Sequence, residues 1–232
     1  LDPRSDTGPP PPAQERVLAE WHARRRGNRD LIVKLHTGQG KTIVGLLMLL
    51  SKLNEGVAPV LYLCPNKYLV DQTCEQAQRF GIAVVNGNTE DELPAAFLGG
   101  KQIYVCTVQK LFNGLTKFGL KAAAIQMGAV LMDDSHACID SIKQACSVTL
   151  KSDTQAYADL LQLFGPDLRE QGAGTYTDIR AGKSDALLPV PYWAWIDRRD
   201  EVTAIVGKHS KDDAIKFVWP VLKDMLDKCC CV

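Results

Sequence analysis

The stretch Leu31-Ile32-Val33-Lys34-Leu35-His36-Thr37-Gly38-Gln39-Gly40-Lys41-Thr42 decides how the rest of the chain is read. A short apolar run of strand length is followed by a glycine-rich turn. From Thr42 to Leu53 comes a strongly apolar segment at helical spacing. A loop that binds phosphate needs this context. Glycines let backbone N–H groups curl around an anion, and the N-terminus of the following helix adds partial positive charge. In that arrangement Lys41 reaches the β- and γ-phosphates and the Thr42 hydroxyl ligates magnesium. The strict pattern has glycine at position 35, where this chain has Leu35, and Thr37-Gly38-Gln39-Gly40-Lys41-Thr42 makes up for it. The bland alternative is an ordinary strand–turn–helix connection, which leaves two closely spaced glycines before Lys41-Thr42 without a packing reason.

Working outward, helical spacing over 14–26 (Val17, Leu18, Trp21) stops at Gly27-Asn28. Strands are expected at 31–35, 59–64, 82–85, 103–106 and 129–132, with helices over 42–53 and 67–80 and a helical turn at 108–115. Apolar strands alternating with helices predict an α/β fold, a three-layer parallel sheet covered on both faces. Ligands in such sheets sit at the carboxyl ends of the strands. Polar residues cluster there: His36–Thr42, Pro65–Lys67, Thr107–Gln109 and Asp133–His136.

Composition bounds the function. The chain has 232 residues, with Lys+Arg and Asp+Glu equal at 27 each and 46% apolar residues. This excludes a disordered polyelectrolyte and a globally basic nucleic-acid coat, but not a local basic patch. No apolar run is long enough to span a membrane. Eight cysteines lack the spacing of a zinc knuckle or redox pair and read as reduced thiols of a cytoplasmic protein. The start at Leu1 and the run Cys229-Cys230-Cys231-Val232 read as cut ends, the latter a truncated strand rather than a lipidation signal.

A second signal is Val130-Leu131-Met132-Asp133-Asp134-Ser135-His136. An apolar strand ending in paired carboxylates supplies an acid near a metal and a second carboxylate as base. Ala181-Gly182-Lys183-Ser184 imitates the end of a phosphate loop. No apolar strand precedes it, so it reads as loop.

After about residue 150 the pattern changes. A helix is expected over 152–164, capped by Ser152 or Asp153. Irregular chain follows over 165–183, then an aromatic concentration (Tyr192, Trp193, Trp195). Last comes a helix over 210–226 that Pro220 kinks or breaks. The domain reading is 1–13 as linker or disorder, 14–150 as a nucleotide-binding domain, and 151–232 as a mostly helical accessory insertion or extension.

These motifs, in this order, resemble the first RecA-like motor domain of a superfamily-two helicase of the DEAD/DEAH-box type. Thr37–Thr42 resembles the first motif and Asp133-Asp134-Ser135-His136 the Asp-Glu-x-His box. Cys64-Pro65-Asn66-Lys67-Tyr68-Leu69-Val70-Asp71-Gln72 and Thr107-Val108-Gln109-Lys110-Leu111 resemble segments that contact a nucleic-acid backbone. The resemblance implies ATP held by Thr37, Gly38, Gln39, Gly40, Lys41 and Thr42, with Gln14 the candidate reader of adenine. It implies magnesium at Thr42 and Asp133, Asp134 orienting the attacking water, and His136 coupling the nucleotide site to nucleic acid. Nucleic acid, single-stranded or duplex, would meet Pro65, Asn66, Lys67, Thr107 and Gln109. Departures from the pattern are Asp134 in place of glutamate, no Ser-Ala-Thr motif after the box, and a second RecA-like domain missing from this chain. The competing reading is a nucleotide-dependent switch or scaffold that binds ATP and a partner without unwinding nucleic acid; a small-molecule kinase would leave Asp133–His136 unexplained. Arg24–Arg26 read as a solvated helix face, and Trp193 and Trp195 as packing residues.

Overall fold

The computed structural model describes residues 11–36, 38–89, 92–119 and 124–232. They divide into two compact units. One runs up to Leu111 and resumes over Lys117–Ile142. The other comprises Phe112–Thr116 and Lys143–Val232.

In the first unit, α1 (Pro12–Glu20) runs on into one π-turn, Trp21–Arg25. Its start at Pro12 is two residues earlier than expected. Proline suits a first turn because its missing N–H would have no partner there anyway. The remaining elements are α2 (Lys41–Asn54), β1 (Val60–Cys64), α3 (Lys67–Arg79), β2 (Val84–Asn86), α4 (Ala95–Leu98), β3 (Ile103–Thr107), α5 (Val108–Leu111), β4 (Ala129–Met132) and α6 (Ser135–Ala145). The helix α6 had no counterpart in the sequence reading. The four strands pair in the order β2-β3-β1-β4, every pairing parallel. The parallel sheet with flanking helices is therefore as expected.

β1 is buried along its whole length, which explains its unbroken apolar sequence. Ile43, Leu46 and Leu49 of α2 pack on it together with Val70 and Ala77 of α3. Burying each such leucine or isoleucine contributes about 1.5–3 kcal/mol. Gly45 lets α2 lie close: a Cβ there would stand 3.1 Å from Leu131 Cδ1 and 3.1 Å from Tyr62 Cε2.

One expected strand is corrected. Residues 31–35 form no ladder, and Ile32 is 82% exposed. An apolar run becomes a strand only where a neighbour completes its hydrogen bonds. Here β4 closes the sheet, with Val130 and Met132 of its outer-facing pair 44% and 41% exposed.

In the second unit, α7 (Gln155–Arg180) is capped by Thr154, whose hydroxyl oxygen accepts from Tyr157 N at 3.3 Å. The expected irregular stretch 165–183 is mostly helical instead. Gly165 serves packing rather than breaking: a Cβ there would meet the Tyr176 hydroxyl at 2.6 Å. The helical run is interrupted at Gly172, where φ is −169° and ψ 85°. Then follow α8 (Tyr192–Asp197), α9 (Arg199–Lys208), α10 (Asp213–Lys216) and α11 (Trp219–Leu222). The helix expected over 210–226 is thus two short ones, and Pro220 lies in the first turn of the second. Trp195 stacks on Phe164 with centroids 5.8 Å apart, and its indole N–H donates to Leu226 O at 2.6 Å. Trp195 is therefore core, whereas Trp193 is exposed. Cys229–Val232 form no strand; the Cys231 carbonyl accepts from Val190 N at 2.8 Å. Ala181–Ser184 follow a helix rather than a strand, as the loop reading requires.

Candidate functional site

The site lies at the carboxyl ends of the parallel strands. Gly38 and Gly40 both adopt left-handed backbone, with φ of +81° and +66°, a conformation that costs glycine little and other residues more. Gly40 is the N-cap of α2, so Lys41 and Thr42 open the helix. Its unpaired N–H groups and the macrodipole give this end a positive character. Lys41 is exposed and Thr42 half-buried. Gln14, buried on α1, donates its side-chain amide to Gln39 O at 3.0 Å and so braces the loop. Thr37 lies outside the described residues.

Asp133 continues the β4–β1 ladder, its N–H donating to Leu63 O at 2.9 Å. One of its carboxylate oxygens accepts from Asp134 N at 3.0 Å. Asp134 has φ of +46°, and its carbonyl accepts from Cys138 N at 3.0 Å, opening α6. His136 is exposed in the first turn of that helix. The paired acids are thus set by a left-handed kink between strand and helix, a conformation aspartate tolerates better than most residues.

Loop and acids meet through Tyr62, which the sequence reading passed over as core. Its ring edge lies against Gly45, one turn of α2 from Thr42, and its ladder partner Leu131 stands two residues before Asp133. Burial first, then the Asp133 charge, push its ionisation far above the ordinary range. The residues present fit a magnesium–phosphate group: the glycine cradle, a hydroxyl at Thr42, a carboxylate at Asp133, and nearby a buried tyrosine oxygen with no hydrogen-bond partner among the described residues.

The segments expected to meet nucleic acid are neighbours. Cys64 and Thr107 are partners in the β1–β3 ladder, so Pro65–Lys67 and Thr107–Gln109 emerge side by side from adjacent strand ends. Asn66 caps α3, its side-chain oxygen accepting from Leu69 N at 3.0 Å, while Lys67 is exposed. A polar cluster behind them escaped the sequence reading. Asp71 accepts from the Asn86 and Asn88 amides at 2.8 and 2.9 Å, and Asn88 also donates to Lys67 O at 2.9 Å. These bonds, that from Asn86 first, hold the Asp71 carboxyl below its usual range. They tie the start of α3 to the end of β2. Asx-turn residues at 86–88 were the only sequence signal for this cluster.

A parallel sheet carrying a left-handed glycine loop on one helix and paired aspartates at the end of its edge strand β4 defines the first RecA-like motor domain of a superfamily-two helicase. The chain belongs to the family described as type III restriction enzyme, res subunit, whose model matches residues 8–167. It is also 31% identical over 112 residues to Dicer-like protein 2-2 of Aspergillus niger. That match covers 47% of this chain and 8% of the relative, so the chain spans less than a tenth of that protein's length. No solved structure matches it.

Proposed function

We propose that this domain binds ATP with magnesium through Gly38, Gly40, Lys41 and Thr42, and that hydrolysis drives a helicase or translocase acting on nucleic acid. The observation that supports this most is the left-handed glycine pair, Gly38 and Gly40, that opens α2 onto Lys41 and Thr42. Loop N–H groups orient the phosphates and Lys41 offsets their charge. Thr42 would hold magnesium through its hydroxyl, and Asp133 through water. Bound there, the ion neutralises charge that develops on the phosphoryl oxygens. Asp134 accepts the proton of the attacking water, and Gln14 holds the loop in register for the base.

Nucleic acid crosses the strand ends at Pro65–Lys67 and Thr107–Gln109, through backbone contacts that carry no sequence information. The helicase core is completed by a second motor domain supplying arginines to the equatorial oxygens, fingers that contribute about 10³–10⁵ in rate in other NTPases. The 232-residue chain on its own is therefore expected to bind ATP while turning it over slowly.

The test is calorimetric titration of ATP–magnesium into the parent and Lys41→Ala. Losing a charge-assisted contact costs on the order of 1.5–3 kcal/mol, so affinity should fall about tenfold or more. Equal affinity in the two proteins overturns the assignment. Single-stranded DNA or RNA binding should then weaken steeply with added salt.

A further inference from the structure

Tyr62 is fully buried in the middle of β1, in register with Val105 on one side and Leu131 on the other. Nothing in a core strand calls for a hydroxyl there, since phenylalanine would fill the same space. Burying one without a partner leaves its lost hydration unrepaid. Yet the Tyr62 oxygen has no hydrogen-bond partner among the described residues. Two polar side chains share its surroundings all the same: its ring edge lies against α2 at Gly45, one helical turn from Thr42, and its ladder partner Leu131 stands two residues before Asp133, on the same face. Gly45 keeps the way open, because a side chain there would press on the Tyr62 ring edge at 3.1 Å.

Resting on the magnesium–nucleotide reading above, we propose that Tyr62 is a positioning residue of the metal site: its hydroxyl accepts the Thr42 O–H and donates to Asp133. A threonine oxygen that offers its lone pair to a cation must send its proton elsewhere, and Tyr62 is the unpartnered acceptor that β1 holds against the first turns of α2. A carboxylate accepts only, so the tyrosine proton has Asp133 as its receiver. The three groups then form one directed chain, Thr42 to Tyr62 to Asp133, in which each bond polarises the next. The chain fixes the Thr42 hydroxyl and the Asp133 carboxylate relative to each other from two different elements, α2 and the end of β4. The hydroxyl thus serves the loaded site and leaves the empty fold no better off.

The test is Tyr62→Phe in the 232-residue chain, titrated with a fluorescent ATP analogue in magnesium and in EDTA. Magnesium should strengthen binding to the parent, and Tyr62→Phe should lose about tenfold of that enhancement. Its affinity in EDTA and its thermal midpoint should hold, the midpoint level with or above the parent's. An undiminished magnesium enhancement overturns the proposal. So does a clearly lowered midpoint or a failure to fold, since the hydroxyl would then serve the fold itself. A cycle with Thr42→Val adds a second measure: Tyr62→Phe should cost little further magnesium dependence once Thr42 has lost its hydroxyl, and full additivity overturns the chain. A parent that does not bind the analogue with magnesium sinks the nucleotide reading instead.

Discussion

The side-chain amide of Gln14 donates to the backbone carbonyl of Gln39 at 3.0 Å, joining the first helix to the tip of the glycine loop. The bond is part-buried, so the loop's shape depends on a residue 25 positions away. Gln14→Ala should weaken ATP binding about fivefold, the worth of one such bond. Gln14→Glu keeps the size but sets a carboxylate against the carbonyl, and should weaken it more. An unchanged dissociation constant for Gln14→Glu, by fluorescence titration, would remove Gln14 from the site.

The two loop glycines should respond differently to alanine. At Gly38 a Cβ meets nothing within 4 Å, so Gly38→Ala carries only the left-handed strain, about 1–2 kcal/mol. At Gly40 the same strain is joined by a clash, the Cβ falling 2.2 Å from Gln14 Nε2. Gly40→Ala should therefore destabilise more in chemical denaturation, and Gln14→Ala should rescue part of the difference. Equal losses at both positions would show that Gln14 yields without cost.

Asp134 stands at φ +46°. Asp134→Asn suits that backbone and should leave nucleotide affinity near the parental value while strongly lowering turnover. Asp134→Glu restores the acid usual in the DEAD/DEAH-box pattern but places a longer side chain in left-handed backbone, at about 1 kcal/mol of stability. Parental hydrolysis by Asp134→Asn in a steady-state assay would show that another group takes the proton.

Burial pushes the Cys64 and Cys106 thiols up to about 12, and those of Cys74 and Cys138 to about 11, from the ordinary 9.0. Folded values lie above unfolded ones, so the thiol contribution to stability is complete below pH 9.0 and fades as pH rises towards 11–12. Denaturant midpoints should fall between pH 8 and pH 10 by more than lysine titration alone explains. In the native state iodoacetamide should reach exposed Cys230 well before the buried Cys106. Comparable labelling of both at pH 8 would contradict the burial.

Much of the first unit was legible because its signals are local. A glycine pair before Lys41-Thr42 and an apolar strand ending in Asp133-Asp134 can each serve few other purposes. Strand existence was less legible. Leu31–Leu35 and Val60–Cys64 look alike as strings, but only the second has neighbours on both sides to complete its hydrogen bonds. Tyr62 was hidden for the opposite reason: in a buried strand an aromatic residue announces packing, and only a buried hydroxyl without a partner among the described residues sets it apart. Beyond residue 150 glycine misled, since Gly165 makes room for Tyr176 within a helix instead of ending it.

The division of the chain carries a practical consequence for anyone cutting it. The backbone passes between the two units at 111/112, 116/117 and 142/143, so the second unit is not a tail that one scissor stroke removes. Phe112–Thr116 belongs to it, with Gly114 N–H donating to Phe217 O and so little room at Gly114 that a Cβ would strike Pro220 Cγ at 2.6 Å. A truncation after Ile142 would strand this pentapeptide without the surface it was shaped for. A clean excision needs two changes: a short linker bridging Leu111 to Lys117, and a stop no earlier than Ala145, where α6 ends.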